Sequence, residues 1–174
     1  TQVLISAGGT REPIDAVRFV GNRSSGRMAW ALAAAAHDRG ADVTVVQANV
    51  DLPREQGITY LDASTAAEMR EVCRTQFPGT DMLIMCAAVA DYRPVDQRAG
   101  KLDKSAADSL TVQMERTTDI LAELSALRDE QVLVGFAAEH GPEGLERARG
   151  KRVRKAVDMV VHNDAAVDGA AVEG

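Results

Sequence analysis

Short β-type runs alternate with amphipathic helical stretches along most of the chain, and this alternation constrains the fold more than any other feature. Val3-Leu4-Ile5-Ser6-Ala7 is a β-type run that halts at Gly8-Gly9, and Asp42-Val43-Thr44-Val45-Val46-Gln47 repeats the pattern after a helical segment. Strand, helix, strand is the mark of a βαβ unit, whose strands lie parallel because the helix carries the chain back. The spacing predicts a helix opened by Ser24 or Ser25 as N-cap, with Met28, Ala31, Leu32 and Ala35 on its packed face and Gly40 as its stop. A second cycle is predicted as a helix over 64–76, a break at Pro78-Gly79, and a strand over 81–88 whose apolar character on both faces suits the centre of a parallel sheet. Residues 91–109 are rich in Asp, Arg, Lys, Ala and Gly without a hydrophobic period, and loops of that length are usually functional or mobile. Regularity returns with a strand over 110–114, a helix over 118–127, a buried strand over 131–136, a basic helix over 143–155 and a strand over 157–161. The expectation is one α/β domain over residues 1–174, a Rossmann-like open, mostly parallel sheet with helices on both faces and right-handed crossovers.

Composition narrows the chemistry. The 174 residues are 45% hydrophobic but only 3% aromatic, so aliphatic and small side chains must fill the core, and the composition argues against a nucleic-acid reader built on base stacking. Cys73 and Cys86 sit in apolar runs without a CxxC, and His37, His140 and His162 are scattered, which supports neither a disulfide framework nor a zinc site. No apolar run approaches the roughly 20 residues of a membrane span, and the chain starts directly on a strand pattern without a leader-like segment. The expected compartment is the cytoplasm, with no membrane partner.

In an open α/β sheet, ligands gather at the carboxyl ends of the strands. After the first strand the chain runs from Gly8-Gly9-Thr10-Arg11-Glu12-Pro13 through Asp15 and Arg18 to Gly21-Asn22-Arg23-Ser24-Ser25-Gly26 before its helix begins. Two glycine turns and a serine-rich helix start offer N–H groups to an anion, or simply make a long loop with a capped helix. Neither GxGxxG nor GxxxxGK[ST] is present, against an ordinary NAD or P-loop enzyme. After the third strand comes Ala87-Ala88-Val89-Ala90-Asp91-Tyr92-Arg93-Pro94, where tiny side chains let a planar ligand approach the backbone. Asp91 there could hold a metal-phosphate or a ribose hydroxyl, or could simply begin a turn. Lys101 and Lys104 follow, with solvated surface lysine the commoner explanation for either. Arg147, Arg149, Lys151, Arg152, Arg154 and Lys155 place six of the 20 basic residues within nine positions, leaving 14 against 26 acidic residues elsewhere. Cations favour a helix C-terminus, but six together argue for a polyanion site, with Lys151 and Lys155 on one face and within reach of one triphosphate.

Read in order, these segments resemble the phosphopantothenoylcysteine synthetase (phosphopantothenate-cysteine ligase) domain of bacterial coenzyme A biosynthesis. The strongest match is Ala7-Gly8-Gly9-Thr10-Arg11-Glu12-Pro13-Ile14-Asp15 with Val17-Arg18-Phe19 and Gly21-Asn22-Arg23-Ser24-Ser25-Gly26-Arg27-Met28. Supporting it are the segment from Ala87 to Pro94, Gly135-Phe136-Ala137-Ala138-Glu139, and Lys151 with Lys155 ahead of Asp158 and His162-Asn163-Asp164.

The resemblance implies a homodimeric ligase that uses CTP and Mg2+ to join 4'-phosphopantothenate to L-cysteine through an acyl-cytidylate, releasing pyrophosphate and then CMP. By matching position it gives Asn22 the handling of the acyl-cytidylate, with Arg18 nearby, and gives Lys101, first lysine of the family's flap, a role in activation. It assigns the CTP site to Met85, Cys86, Ala87, Asp91, Lys101, Thr118, Asp119, Ile120, Leu121, Phe136, Lys151 and Lys155, and names no metal ligand. The sequence departs from the family at Asp103, where another lysine is usual, at Thr117-Thr118, where Asn-Pro is usual, and at Trp30, where a small residue is common. The resemblance covers the ligase part alone, up to about Asp164. Two other readings are a related nucleotide-dependent acid-amine ligase of a specialised pathway and a nucleotide-binding or reductase-like module without ligase activity.

Overall fold

Strand β1 (Gln2–Gly8) is buried from Val3 onward, as a strand must be when sheet neighbours flank it and helices cover it. The structure, a computed structural model, describes residues 1–102, 109–139 and 143–164. In chain order the other elements are β2 (Arg11–Pro13), β3 (Phe19–Gly21), α1 (Arg27–His37), β4 (Asp42–Ala48), β5 (Thr59–Asp62), α2 (Ala66–Gln76), β6 (Met82–Met85), β7 (Tyr92–Pro94), β8 (Met114–Arg116), α3 (Ile120–Leu127), β9 (Val132–Glu139), α4 (Gly144–Arg154) and β10 (Met159–Asp164). Six strands form one sheet in the order β10-β9-β6-β1-β4-β5, every neighbouring pair parallel.

Alternation along β1 sends its side chains to two cores. Val3, Ile5 and Ala7 meet Ala29, Trp30 and Ala33 of α1 on one face. On the other, Leu4 joins Met69 and Cys73 of α2 and Ile120, Leu121 and Leu124 of α3. The expected open parallel sheet with helices on both faces is thus observed. After β1 the chain builds outward through β4 and β5, then returns to build the other half from β6, so the strand order reverses between β1 and β6. At such a reversal the helices leave in opposite directions and open a crevice above the strand ends.

Several local expectations need correction. The N-cap of α1 is Gly26, left-handed at φ 78°, one residue beyond Ser25, whose Oγ still accepts from the Arg27 N–H at 3.5 Å. A Cβ at Gly26 would lie 2.7 Å from Val50, so both the backbone angle and the space demand glycine. The buried face of α1 is Ala29, Trp30 and Ala33; Ala31 is exposed and Met28, Leu32 and Ala35 are half-buried. Trp30 rotates the face, because its ring packs at 5.2 Å from that of Tyr60 and its Nε1 donates to the Pro53 carbonyl at 2.8 Å. That polar tip with a partner is what lets a large side chain sit where a small one is common. The segment 91–109 also contains regular structure: β7 pairs antiparallel with β8, and the expected strand over 110–114 begins instead at Met114. Strand β5 closes one edge of the sheet and is additional to the expected elements.

The helix over 64–76 forms as expected, with Thr65 and Glu68 in a capping box and the chain turning through a 3₁₀ segment, Phe77–Gly79. It has a second cap from far away. The fully buried Glu12 accepts from the Ala66 N–H at 2.8 Å, so the first loop supplies a carboxylate to the positive end of α2.

Candidate functional site

The site begins where β1 and β6 end. Past Met85 the chain leaves the sheet to follow the loop after β1: Ala87 N–H donates to Ser6 Oγ at 3.1 Å, Ala88 N–H to the Gly8 carbonyl at 2.8 Å, and Ala90 N–H to the buried Thr10 Oγ1 at 2.8 Å. The predicted strand over 81–88 is therefore shorter than its apolar run, its last residues being spent on joining two loops. Asn22 is carried over the same edge. Its carbonyl packs on Gly9, where a Cβ would come within 2.5 Å, and its Nδ2 donates to the Val89 carbonyl at 3.2 Å.

Two contiguous cavities open here. The first, about 470 Å³, is lined by Met85, Ala87, Asp91, Thr118, Asp119, Ile120, Leu121, Phe136, Lys151 and Lys155, ten of the residues expected at a nucleotide site. The second, about 560 Å³, takes Asn22 and Cys86 together with the turn into α1. Both volumes lie within the ~300–1,000 Å³ usual for ligand sites. Ala87, Val89, Asp91, Phe136 and Lys151 line both, so they form the common wall. Val89, Tyr92, Arg116 and Thr117 of the first cavity and Met28 and Asn163 of the second were not among the expected site residues. Arg116 arrives through the cross-strand pair Tyr92↔Arg116, a long-range pairing without a local sequence signal.

Lys151 and Lys155 reach the first cavity from α4 and its end. Lys151 Nζ donates to the Phe136 carbonyl, and Lys155 Nζ lies 2.9 Å from Asp119 Oδ2. Asp119 also caps α3, its Oδ1 accepting from Ala122 N–H at 3.1 Å, so one carboxylate sets both a helix start and a lysine. The basic cluster is narrower than its sequence suggests. Arg147 pairs with Glu143 and Arg149 with Glu146 along the helix, and these two with Arg152 and Arg154 line neither cavity. Cys86 stands in the second cavity as a neutral thiol, since burial pushes its pKa up to about 11.

Lys101 and Arg18 line neither cavity. Arg18 is bound to Asp15, and Lys101 is exposed next to Leu102, whose N–H also goes to Asp15. Lys104 and Asp103 lie outside the described residues. A third cavity of about 590 Å³ lies on the other side of Asn22, lined in part by Arg11, Arg23, Arg27 and Asn49. No group of three His, Cys, Asp or Glu suited to a metal ion occurs among the described residues, and there no helix is long and apolar enough to cross a membrane.

The sheet order and the crevice at its reversal define a Rossmann-like α/β protein with two cavities above the central strands. The chain belongs to the DNA/pantothenate metabolism flavoprotein C-terminal domain family, which matches residues 1–174. It is 45% identical over 169 residues to the coenzyme A biosynthesis bifunctional protein CoaBC of Vibrio parahaemolyticus, covering 96% of this chain and 42% of that protein. With CoaBC of Escherichia coli K12 it shares 44% over 165 residues, 93% of this chain and 40% of the relative. It thus spans less than half the length of these relatives. The crystal structure of the C-terminal domain of a CoaBC superposes with a TM-score of 0.83 at 38% identity, over 94% of this chain and 76% of that one. A variant of Cab2, solved in complex with phosphopantothenate-cysteine, shares the fold at a TM-score of 0.79 and 16% identity, over 94% of this chain and 72% of that one.

Proposed function

We propose that this chain acts in coenzyme A biosynthesis as a CTP-dependent ligase that joins 4'-phosphopantothenate to L-cysteine, working in the cytoplasm as a homodimer. The observation that carries this reading is the pair of cavities with a common wall, one holding two lysines and the other Asn22. A reaction between two bound molecules needs such contiguity, because holding the partners in contact removes much of the entropic barrier. CTP occupies the first cavity with its phosphates toward Lys151 and Lys155, and the acid occupies the second beside Asn22.

In the first step the substrate carboxylate attacks the α-phosphorus of CTP, the bond to pyrophosphate breaks, and an acyl-cytidylate remains. In the second, the cysteine amine attacks the acyl carbon, CMP leaves, and the amine sheds its proton. Negative charge grows on phosphoryl oxygens and then around the acyl centre, so fixed cations and N–H donors at the common wall lower both barriers. Asn22 presents its amide to the acyl-cytidylate, and Lys101 supplies charge during activation. Mg2+ is held mainly by a nucleotide's own phosphates and water, with one or two carboxylates, and Asp91 in the common wall is the carboxylate that would take it. When bound, the ion neutralises phosphate charge.

The second copy in the dimer is assigned to the two ribbons, β2-β3 and β7-β8, where Val17, Phe19, Val20, Tyr92, Val95 and Leu110 on or near them are exposed. Pyrophosphate release from CTP that requires phosphopantothenate, and amide formation that further requires cysteine, are the expected results. Release independent of the acid, or protection by NAD(P)H in its place, sinks the ligase reading.

A further inference from the structure

Asp15 is among the few buried charged residues of the chain, and its side chain is fully shielded from solvent. Its two oxygens serve different partners. Oδ1 accepts from the N–H groups of Val17 at 2.8 Å and Arg18 at 2.7 Å and so closes the turn after Ile14. Oδ2 takes the Arg18 guanidinium and, at 3.1 Å, the N–H of Leu102, a residue 87 positions away and adjacent to Lys101. A second strut runs between the same two segments, from Arg98 N–H to the Ile14 carbonyl at 3.2 Å. Burial alone would raise the pKa of this carboxyl, but the N–H groups of Val17, Arg18 and Leu102 and the Arg18 side chain outweigh it and hold it well below the usual carboxylate range.

We propose that Asp15 is a positioning residue that holds Arg18 and the backbone at Lys101 and Leu102 as one unit, so that Lys101 acts in nucleotide activation only while that unit is intact. This rests on the ligase reading above and adds to it a residue that lines neither cavity. The division of labour between the two oxygens makes the idea testable. Asp15→Asn leaves one oxygen to keep the Val17 and Arg18 turn, and sets an amide donor against the Leu102 N–H and the Arg18 guanidinium, which are donors themselves. The tether from Asp15 to Leu102 is lost while the turn and the Arg98–Ile14 strut survive.

A misplacement on the order of 1 Å can cost about 100-fold in rate. Asp15→Asn is expected to slow the pyrophosphate-forming step by about 10- to 100-fold with KM for CTP little changed, and the double variant with Lys101→Gln is expected to be no slower than Lys101→Gln alone. Losses that multiply would show that Asp15 acts independently of Lys101 and would overturn the proposal. Amide hydrogen exchange read by NMR supplies an arm that needs no activity: Leu102 should lose protection in Asp15→Asn while Val3, Leu4 and Ile5 of β1 keep theirs. Unchanged exchange at Leu102 overturns the tether. Wild-type turnover in Lys101→Gln refutes the role given to Lys101, and with it the activation half of the proposal, while the exchange result decides the tether by itself. Should Asp15→Asn fail to fold, Asp15→Ser carries the same expectations, since its hydroxyl can serve the turn but cannot reach Leu102.

Discussion

Asn22, Lys101 and Trp30 show three different relations between a residue and its surroundings. Asn22 has its backbone pressed on Gly9 and its amide on Val89, so its side chain is aimed by two loops at once. Asn22→Asp should let an acyl-CMP adduct accumulate, detectable by mass spectrometry, because the amide donor is lost while the activating lysines remain. Lys101→Gln should instead slow formation of that adduct; wild-type turnover in both variants would refute the two assignments. Trp30 concerns stability alone. Its ring fills the space between α1 and Tyr60, and Trp30→Ala should cost about 3–5 kcal/mol, read from chemical denaturation, with little change in ligand affinity.

Among the elements, α3 and α4 matter most for the site, since each sends a charged end into the first cavity. Asp119 serves both as N-cap of α3 and as partner of Lys155. Asp119→Asn retains the capping oxygen and removes the ion pair, so it should leave stability nearly unchanged and alter triphosphate affinity. Asp119→Ala loses both, and its extra cost is expected at about 1 kcal/mol. Elsewhere, carboxylates tie elements together: the Arg70 guanidinium lowers the pKa of Glu123 by hydrogen bonding, joining α2 to α3, and the Leu133 N–H with Arg128 lowers that of Asp158. Groups with depressed folded values contribute fully above the ordinary carboxylate pKa and lose that contribution as the pH falls below it. Urea midpoints should accordingly drop between pH 6 and pH 3.5, and less so in Arg70→Met, where the Glu123 shift is gone.

For the molecule as a whole, the thiols set the opposite limit. Burial raises Cys73 to about 12 and Cys86 to about 11 from an ordinary 9.0. The protonated forms are favoured in the fold, so this contribution is complete below pH 9 and is lost as the pH climbs toward 11, which urea midpoints measured upward from pH 8 should register. The proposed dimer is tested at the exposed apolar residues of the two ribbons. Phe19 is 52% exposed beside Val17 at 64%, and Phe19→Glu should shift sedimentation toward the monomer if these ribbons carry the dimer.

Much of this architecture follows from local pattern. The period of the apolar residues and the glycine stops sufficed for the βαβ cycles, for the parallel sheet and for all four helices to within a turn, because burial on both faces leaves a strand little choice of side chains. The packed face of α1 and the left-handed turn that opens it were not legible. They depend on a left-handed Gly26 against Val50 and on a tryptophan that finds Pro53 and Tyr60, and both partners lie more than 20 positions onward. The ribbon β7-β8 was hidden for the same reason, its pairing lying between segments that carry no period of their own. Motif order alone brought Met85, Asp91, Phe136, Lys151 and Lys155 onto one list, and charge counting marked the helix that bears the lysines. Which of its six cations face the cavity was decided by the docking of α4 on β9 and β10, whereas Arg147 and Arg149 pair locally with Glu143 and Glu146. Sequence thus determined which residues have the chemistry. Only the tertiary structure decided which of them share a wall, because that depends on where strands of distant sequence end side by side.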